Sequence, residues 1–268
     1  MWAVRALGVA AGAYAGYVGV TWLRYGHPAP ASTDDGDVLL DRFMPVYDVV
    51  ERHHVDVAAP AGITFAAACE QDLMAGPLVR AIFKAREIVL GSEPDTGTRP
   101  RGLLEMTKSL GWGVLADVQD REIVMGTITQ PWEANVVFRS LPPDQFLAFD
   151  DPEYVKIVWT LRADAIGSSA SIFRTETRAV ATDATARAKF RRYWSFLSPG
   201  IILIRWASLH PLKAEAEQRA RLQLAESARI HDRRLHSLLG LGYCSECAAC
   251  DTDPRPKSNG RPRLRGAL

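Results

Sequence analysis

The sequence predicts an α+β fold in which an antiparallel sheet is followed by a long C-terminal helix. Two neighbouring segments, residues 154–166 and 171–181, alternate between polar side chains and apolar or small ones. Such period-two alternation is typical of strands that pack one face and expose the other. The turn at residues 166–169 joins the two segments, and a helix rich in aromatic and arginine residues follows them. We therefore expect the core to lie between the packed sheet face and this helix.

Composition limits the classes of function. With 268 residues and 47% hydrophobic content, the chain can bury one full-sized core and carry appendages. Its 32 Lys and Arg nearly balance its 31 Asp and Glu, so no overall positive field favours a nucleic-acid partner. We expect no nucleic-acid binding.

The first elements are an apolar helix and a linker. Residues 6–23 contain no charge and no proline, and as a helix they would extend about 27 Å, near the thickness of a hydrocarbon core. We expect residues 1–26 to form a retained membrane anchor that crosses a cell membrane once, with the side of the soluble domain left open. A cleaved signal peptide and a buried soluble helix are the alternatives. Residues 27–44, rich in proline and aspartate, are expected to be a linker.

Three glycines recur every four residues in the apolar segment: Gly8, Gly12 and Gly16. This spacing would let a second helix approach closely. A homodimer through this face is therefore a possible partner arrangement.

The predicted domain covers residues 45–217. Its expected order is a strand, two helices, further strands and a terminal helix. The predicted bounds are 46–59, 63–73, 77–90, 112–118, 122–130, 135–139, 145–149, 154–166 and 171–181. Asp183 is expected to cap the terminal helix that opens at Ala184. Pro199 is expected to interrupt this helix, which resumes over residues 201–209.

Four short phrases accompany this order: VDVAAP at 55–60, ETR at 176–178, ATD at 181–183 and FRRYW at 190–194. Together they resemble an uncharacterised bacterial branch of the SRPBCC superfamily, which includes START lipid-transfer domains and polyketide cyclases. The resemblance implies a helix-grip fold, in which a curved antiparallel sheet wraps a long C-terminal helix. It also implies a cavity between them for an apolar small molecule. Fold analogy alone does not define an activity.

Glu51 and His53 share one parity of the first strand, so a carboxylate and an imidazole lie on the same side. If that side faces the cavity, the pair could act in acid–base chemistry. A solvated strand end is the alternative. The candidate ligand-lining residues are Trp112, Trp132, Ile157, Trp159, Leu161, Phe173, Thr175 and Thr177.

The opposite parity of the two alternating strands is charged. Arg162, Asp164, Glu176 and Arg178 are expected on a solvated outer face. Exposed ion pairs there would contribute about 0–1 kcal/mol each.

The C-terminal region is expected to lie outside the core. We expect residues 218–243 to form a charged helical extension and residues 244–268 to form a basic, disordered tail. Cys244, Cys247 and Cys250 have a spacing that suits zinc or an iron–sulfur cluster, with His236, Asp251 or a second chain as fourth ligand. Unpaired thiols or disulfides are the alternative.

The sequence thus favours binding or transport of an apolar small molecule, such as a lipid or a polyketide-like compound, by a membrane-anchored domain. It contains no common nucleophile, phosphate-loop or dinucleotide motif, and we expect no cofactor. A cyclase or dehydratase that uses Glu51 or His53 is one alternative. A non-enzymatic assembly factor, its pocket filled by its own side chains, is the other.

Overall fold

The computed structural model describes residues 2–30, 32, 36–93 and 100–238. The chain divides into two compact units, Met1–Leu222 and Gln223–Leu268. The helices are α1 (Trp2–Arg24), α2 (Val38–Phe43), α3 (Ala61–Glu70), α4 (Pro77–Leu90), α5 (Leu103–Ser109), α6 (Pro143–Ala148) and α7 (Ala184–Leu238). The strands are β1 (Val49–Val57), β2 (Gly113–Val118), β3 (Glu122–Thr129), β4 (Phe138–Arg139), β5 (Val155–Ile166) and β6 (Ala170–Ala181).

The described strands form one antiparallel sheet with the order β1-β6-β5-β3-β2, and β4 pairs with β3. The chain therefore places its first strand beside its last one. This sheet and the long C-terminal helix confirm the α+β class and are consistent with a helix-grip fold. The domain boundaries given above stay predictions.

The inner face of the sheet packs as the alternation predicts. Trp159 and Phe173 are 3% and 2% exposed, and they lie in one core cluster with Ala68 of α3 and with Leu212 and Ala216 of α7. Burial of these apolar groups is the main contribution that holds α3 and α7 on the sheet.

The outer face is covered by helices, so the expectation of a solvated outer face was wrong. The segment 145–149, expected as a strand, forms helix α6 as far as Ala148; the helix opens at Pro143, and proline is favoured at the first helical position. Phe146 of α6 and Leu40 of α2 pack against Val124 and Val158 of the sheet. Helix α2 lies within the expected linker, and Asp37 caps it by accepting a hydrogen bond from the Leu40 amide at 2.8 Å.

As a result, Arg162, Glu176 and Arg178 of the outer face are buried, while Asp164 is partly exposed. Arg178 is 2% exposed and donates to the Glu176 carboxylate at 2.7 Å, to Asp41 at 2.6 Å and to the Met44 carbonyl at 2.8 Å. Arg162 contacts Asp164 at 2.8 Å. These pairs are part of the structure's interior, and the small energies of exposed pairs do not apply to them.

Helix α7 also differs from the prediction, because it continues without a break through Pro199 and Pro211. Each proline removes one backbone donor, but packing can maintain a helix across such a gap. Its start agrees with the prediction, since the Asp183 carboxylate accepts from the Ala186 amide at 2.7 Å.

Helix α1 packs against the first part of α7. The Tyr14 hydroxyl donates to the Phe196 carbonyl at 2.7 Å, and the Arg191 guanidinium lies 4.3 Å from the centre of the Trp22 ring. Within the described residues, no helix combines the length and the hydropathy that a membrane crossing requires. The transmembrane helix expected in residues 1–26 is therefore not supported, because alanine and glycine dilute its larger apolar groups.

A Cβ atom on Gly8, Gly12 or Gly16 would meet no atom within 4 Å, so this face of α1 is open. Pairing through these glycines and location at a cell membrane stay predictions.

Candidate functional site

Strand pairing brings the predicted acid–base residues together with the two threonines. Glu51 of β1 lies opposite Thr177 of β6, and His53 lies opposite Thr175. Thr177 in turn lies opposite Trp159 of β5. Because these residues share the inward parity, the side chains converge on the face of the sheet that α7 covers.

Arg205 completes this cluster, although the sequence pattern did not predict it as a site residue. Helix α7 directs its guanidinium onto the sheet, where Nη2 donates to Thr177 Oγ1 at 2.9 Å and Nη1 to Thr175 Oγ1 at 3.3 Å. The guanidinium also lies 4.9 Å from the centre of the Trp159 ring, within the range of a cation–π contact. A signal was present, since Arg205 is the single charge within the apolar run IILIRWASL at 201–209.

The Thr175 hydroxyl connects the cluster to the sheet. It accepts from Trp159 Nε1 at 2.8 Å and donates to the Thr160 carbonyl at 2.7 Å. Together with the contact from Arg205, this uses both acceptor positions and the donor of the hydroxyl. The orientations of the Trp159 and Arg205 side chains are thus fixed by one shared atom.

Burial shifts the pKa of all three ionisable groups toward the neutral form. It lowers the pKa of Arg205 to about 10, with Glu51 acting in the opposite direction. Burial raises the pKa of Glu51, and Arg205 opposes this rise. Burial is also the main cause that lowers the pKa of His53, and the positive charge of Arg205 adds to it.

The polar groups of the cluster are only partly satisfied. His53 Nε2 lies 3.8 Å from Glu51 Oε2, too far for a hydrogen bond, and this nitrogen is buried without another partner. Within the described residues, no carboxylate lies within 4 Å of Arg205. The site therefore offers unused donors to an oxygen atom placed between the sheet and α7.

The other predicted lining residues divide between two clusters. Trp112 stacks edge-on against Trp159 at 6.4 Å, and Leu161 and Phe173 are buried in the same core. Trp132 instead packs with Ile157 in the cluster around Phe190, and Lys189 lies 5.6 Å from its ring centre. Trp132 thus packs outside the core cluster that contains Trp159 and Phe173.

A small hollow, of about 20 Å³, is lined mainly by outer-face residues such as Arg52 and Arg162, and also by His53 and Thr175 of the cluster. That volume accommodates about one water molecule. Cys244, Cys247 and Cys250 lie outside the described residues. Among those that are described, no group of three His, Cys, Asp or Glu side chains could hold a metal ion.

No family model and no curated protein matches the chain. Solved structures with a similar fold include norcoclaurine synthase from Thalictrum flavum, at 9% identity and a TM-score of 0.29, over 62% of this chain and 94% of that one. An aromatase/cyclase from Streptomyces sp. R1128 has 13% identity and a TM-score of 0.20, over 63% and 94%. A protein from Deinococcus radiodurans has 14% identity and a TM-score of 0.23, over 54% and 93%.

These neighbours include SRPBCC proteins, the superfamily that the sequence resembles. Scores this low carry no argument about the site.

Proposed function

We propose that the domain binds a small, mostly apolar organic molecule between the inner face of the sheet and α7, and that Arg205 and Thr177 orient its polar end. The observation that supports this most is the convergence of Arg205, Glu51 and His53 inside an otherwise apolar layer, with their polar atoms only partly paired.

This arrangement lowers the stability of the fold, so stability alone does not explain why these residues lie there. An incompletely paired buried charge destabilises a fold, and a well-packed apolar side chain of similar size is often neutral or better. Perturbed ionisable groups that converge in an interior are enriched at functional sites. The assembly-factor alternative, with a core filled only for stability, would gain nothing from these three residues.

The surroundings of the cluster suit an apolar ligand body. The Trp159 and Phe173 side chains lie in the apolar core on the sheet, and Ile201 of α7 belongs to the adjoining apolar cluster. Removing apolar surface from water contributes roughly 25 cal/mol per Å², so about 200 Å² of ligand surface would contribute about 5 kcal/mol. The Arg205 side chain lies against the Trp159 ring, so a ligand that packs on this ring would have to shift it.

The acid–base alternative is favoured by one specific observation. Glu51 and His53 lie 3.8 Å apart, with the pKa of the carboxyl raised and that of the imidazole lowered. Both shifts favour the neutral forms, so the carboxyl could donate a proton to a bound substrate and the imidazole could accept one. A cyclase or dehydratase would use such a pair.

The binding proposal is tested with the neutral fluorescent probe N-phenyl-1-naphthylamine. Thr177→Phe, which fills the space beside Arg205, is expected to weaken probe binding at least tenfold. Ser168→Phe adds the same ring to an exposed turn and serves as the control. Equal affinity in both variants would refute the interior site. Native mass spectrometry of the unmodified chain provides a second measurement, since a co-purifying small molecule is expected.

His53→Ala separates binding from catalysis. We expect this variant to retain probe affinity within about twofold, because the imidazole contributes little apolar area. If the wild-type chain turns over a compound and His53→Ala binds it without turnover, the enzyme alternative replaces transport.

A further inference from the structure

Arg178 and Arg162, which are buried, and Arg205, which is partly buried, differ in how their charge is balanced. Arg178 contacts carboxylates at 2.6 and 2.7 Å, and Arg162 contacts one at 2.8 Å. Arg205 faces two threonine hydroxyls and an aromatic ring instead. The structure thus balances the charge of the outer-face arginines and leaves that of Arg205 available.

From this difference we infer that the ligand of the inner site carries an anionic oxygen group, such as a carboxylate, which binds the guanidinium of Arg205. This inference rests on the proposed function and specifies its ligand class: an apolar body with one acidic end.

The geometry around Arg205 suits such a group. Each Nη atom uses one N–H for a threonine hydroxyl and keeps a second one, and a planar guanidinium binds two oxygens of an acid side by side. The Trp159 ring lies against the guanidinium and fixes its position. The Thr177 hydroxyl, now an acceptor for Nη2, can rotate to donate to the same anion.

The neighbouring residues do not replace this anion. Glu51 is the carboxylate that acts on Arg205, but it lies closer to the imidazole of His53, and burial favours its protonated form. His53 Nε2, buried without a partner, is a further candidate donor.

Two probes with one aromatic frame test the inference. 8-Anilinonaphthalene-1-sulfonate is N-phenyl-1-naphthylamine with an added sulfonate. We expect the wild-type chain to bind the sulfonate at least tenfold more tightly. A hydrogen-bonded charge contributes about 1.5–3 kcal/mol, which corresponds to roughly ten- to a hundredfold in affinity.

Arg205→Gln is expected to lose this preference and to bind the neutral probe as well as the wild type or better. Arg205→Lys keeps the charge and is expected to restore part of the preference. Arg192→Gln removes an exposed arginine of the same helix and is the control. Circular dichroism monitors folding, and the wild-type preference alone remains decisive if a variant fails to fold.

The outcomes separate the two proposals. If the wild type binds both probes equally, or if Arg205→Gln keeps the preference, the anionic ligand class is wrong while the binding site stands. If neither probe binds in the interior, the proposed function fails as well. Inorganic phosphate, an anion with no apolar body, is expected not to displace the sulfonate probe at matched ionic strength. Displacement by low millimolar phosphate would indicate a site for free anions and overturn the inference.

Discussion

Replacing Arg178 by methionine tests the buried charge layer on the outer face of the sheet. The substitution removes the contacts to Glu176 at 2.7 Å, to Asp41 at 2.6 Å and to the Met44 carbonyl at 2.8 Å. Glu176 then stays buried with Arg52, at 3.2 Å, as its remaining ion-pair partner. Breaking a buried pair costs about 3–5 kcal/mol.

We expect the lower end of this range, about 3 kcal/mol, because Arg52 still compensates Glu176 and because Asp41 is half exposed. For a unit of this size, 1 kcal/mol shifts the melting temperature by about 2–4 °C, so the loss should be about 6–12 °C. Calorimetry or thermal circular dichroism measures it.

The double variant Arg178→Met with Glu176→Leu removes both charges and should recover much of the loss. Lys108→Met, at an exposed pair 2.9 Å from Glu105, is the control and should change the melting temperature by at most about 2 °C. A single variant at Arg178 as stable as the wild type would show that the pair contributes no more than a surface contact.

Two further predictions concern the sheet and its turns. Burial, together with the charge and the hydrogen bond of Asp37, raises the pKa of Glu122 to about 7. When the pKa of an acid is higher in the folded than in the unfolded state, the free energy of unfolding decreases as pH rises between the two pKa values. Glu122→Gln should therefore flatten this decrease between about pH 4.5 and 7, as measured by urea titrations. An unchanged pH dependence would contradict this assignment. Gly111→Ala should destabilise the domain far more than Gly167→Ala: both glycines have positive φ, but a Cβ at Gly111 would collide with the Phe138 carbonyl, whereas one at Gly167 meets open space. Equal melting temperatures for the two variants would argue against this close approach.

The strands were the most predictable part of the fold, because their signal is local. Alternation in β5 and β6 fixes which side chains face inward, and the pairing of β1 with β6 follows the same parity. Helix α6 was missed because six residues are too few to show a helical period. Helix α7 was divided at Pro199 because local propensity predicts a break there, whereas tertiary packing maintains the helix.

The site was predictable to the same extent. The parity of Glu51 and His53 could be read from the strand, but not that they would meet Arg205. The contact of Arg205 with the sheet depends on the rotation of α7 about its axis, which residues on both sides of Pro199 determine. The sequence shows Arg205 as the single charge in an apolar run, but it does not show which residues of the sheet Arg205 contacts.

The cover that α2 and α6 place over the outer face has a mechanical consequence. Because these helices pack on the outer face, the sheet cannot easily bend outward when a ligand binds. We therefore expect any additional volume to form on the side of α7. The sheet, which carries the hydroxyls of Thr175 and Thr177 on its inner face, is then the rigid side of the site. Helix α7 is the side that we expect to move.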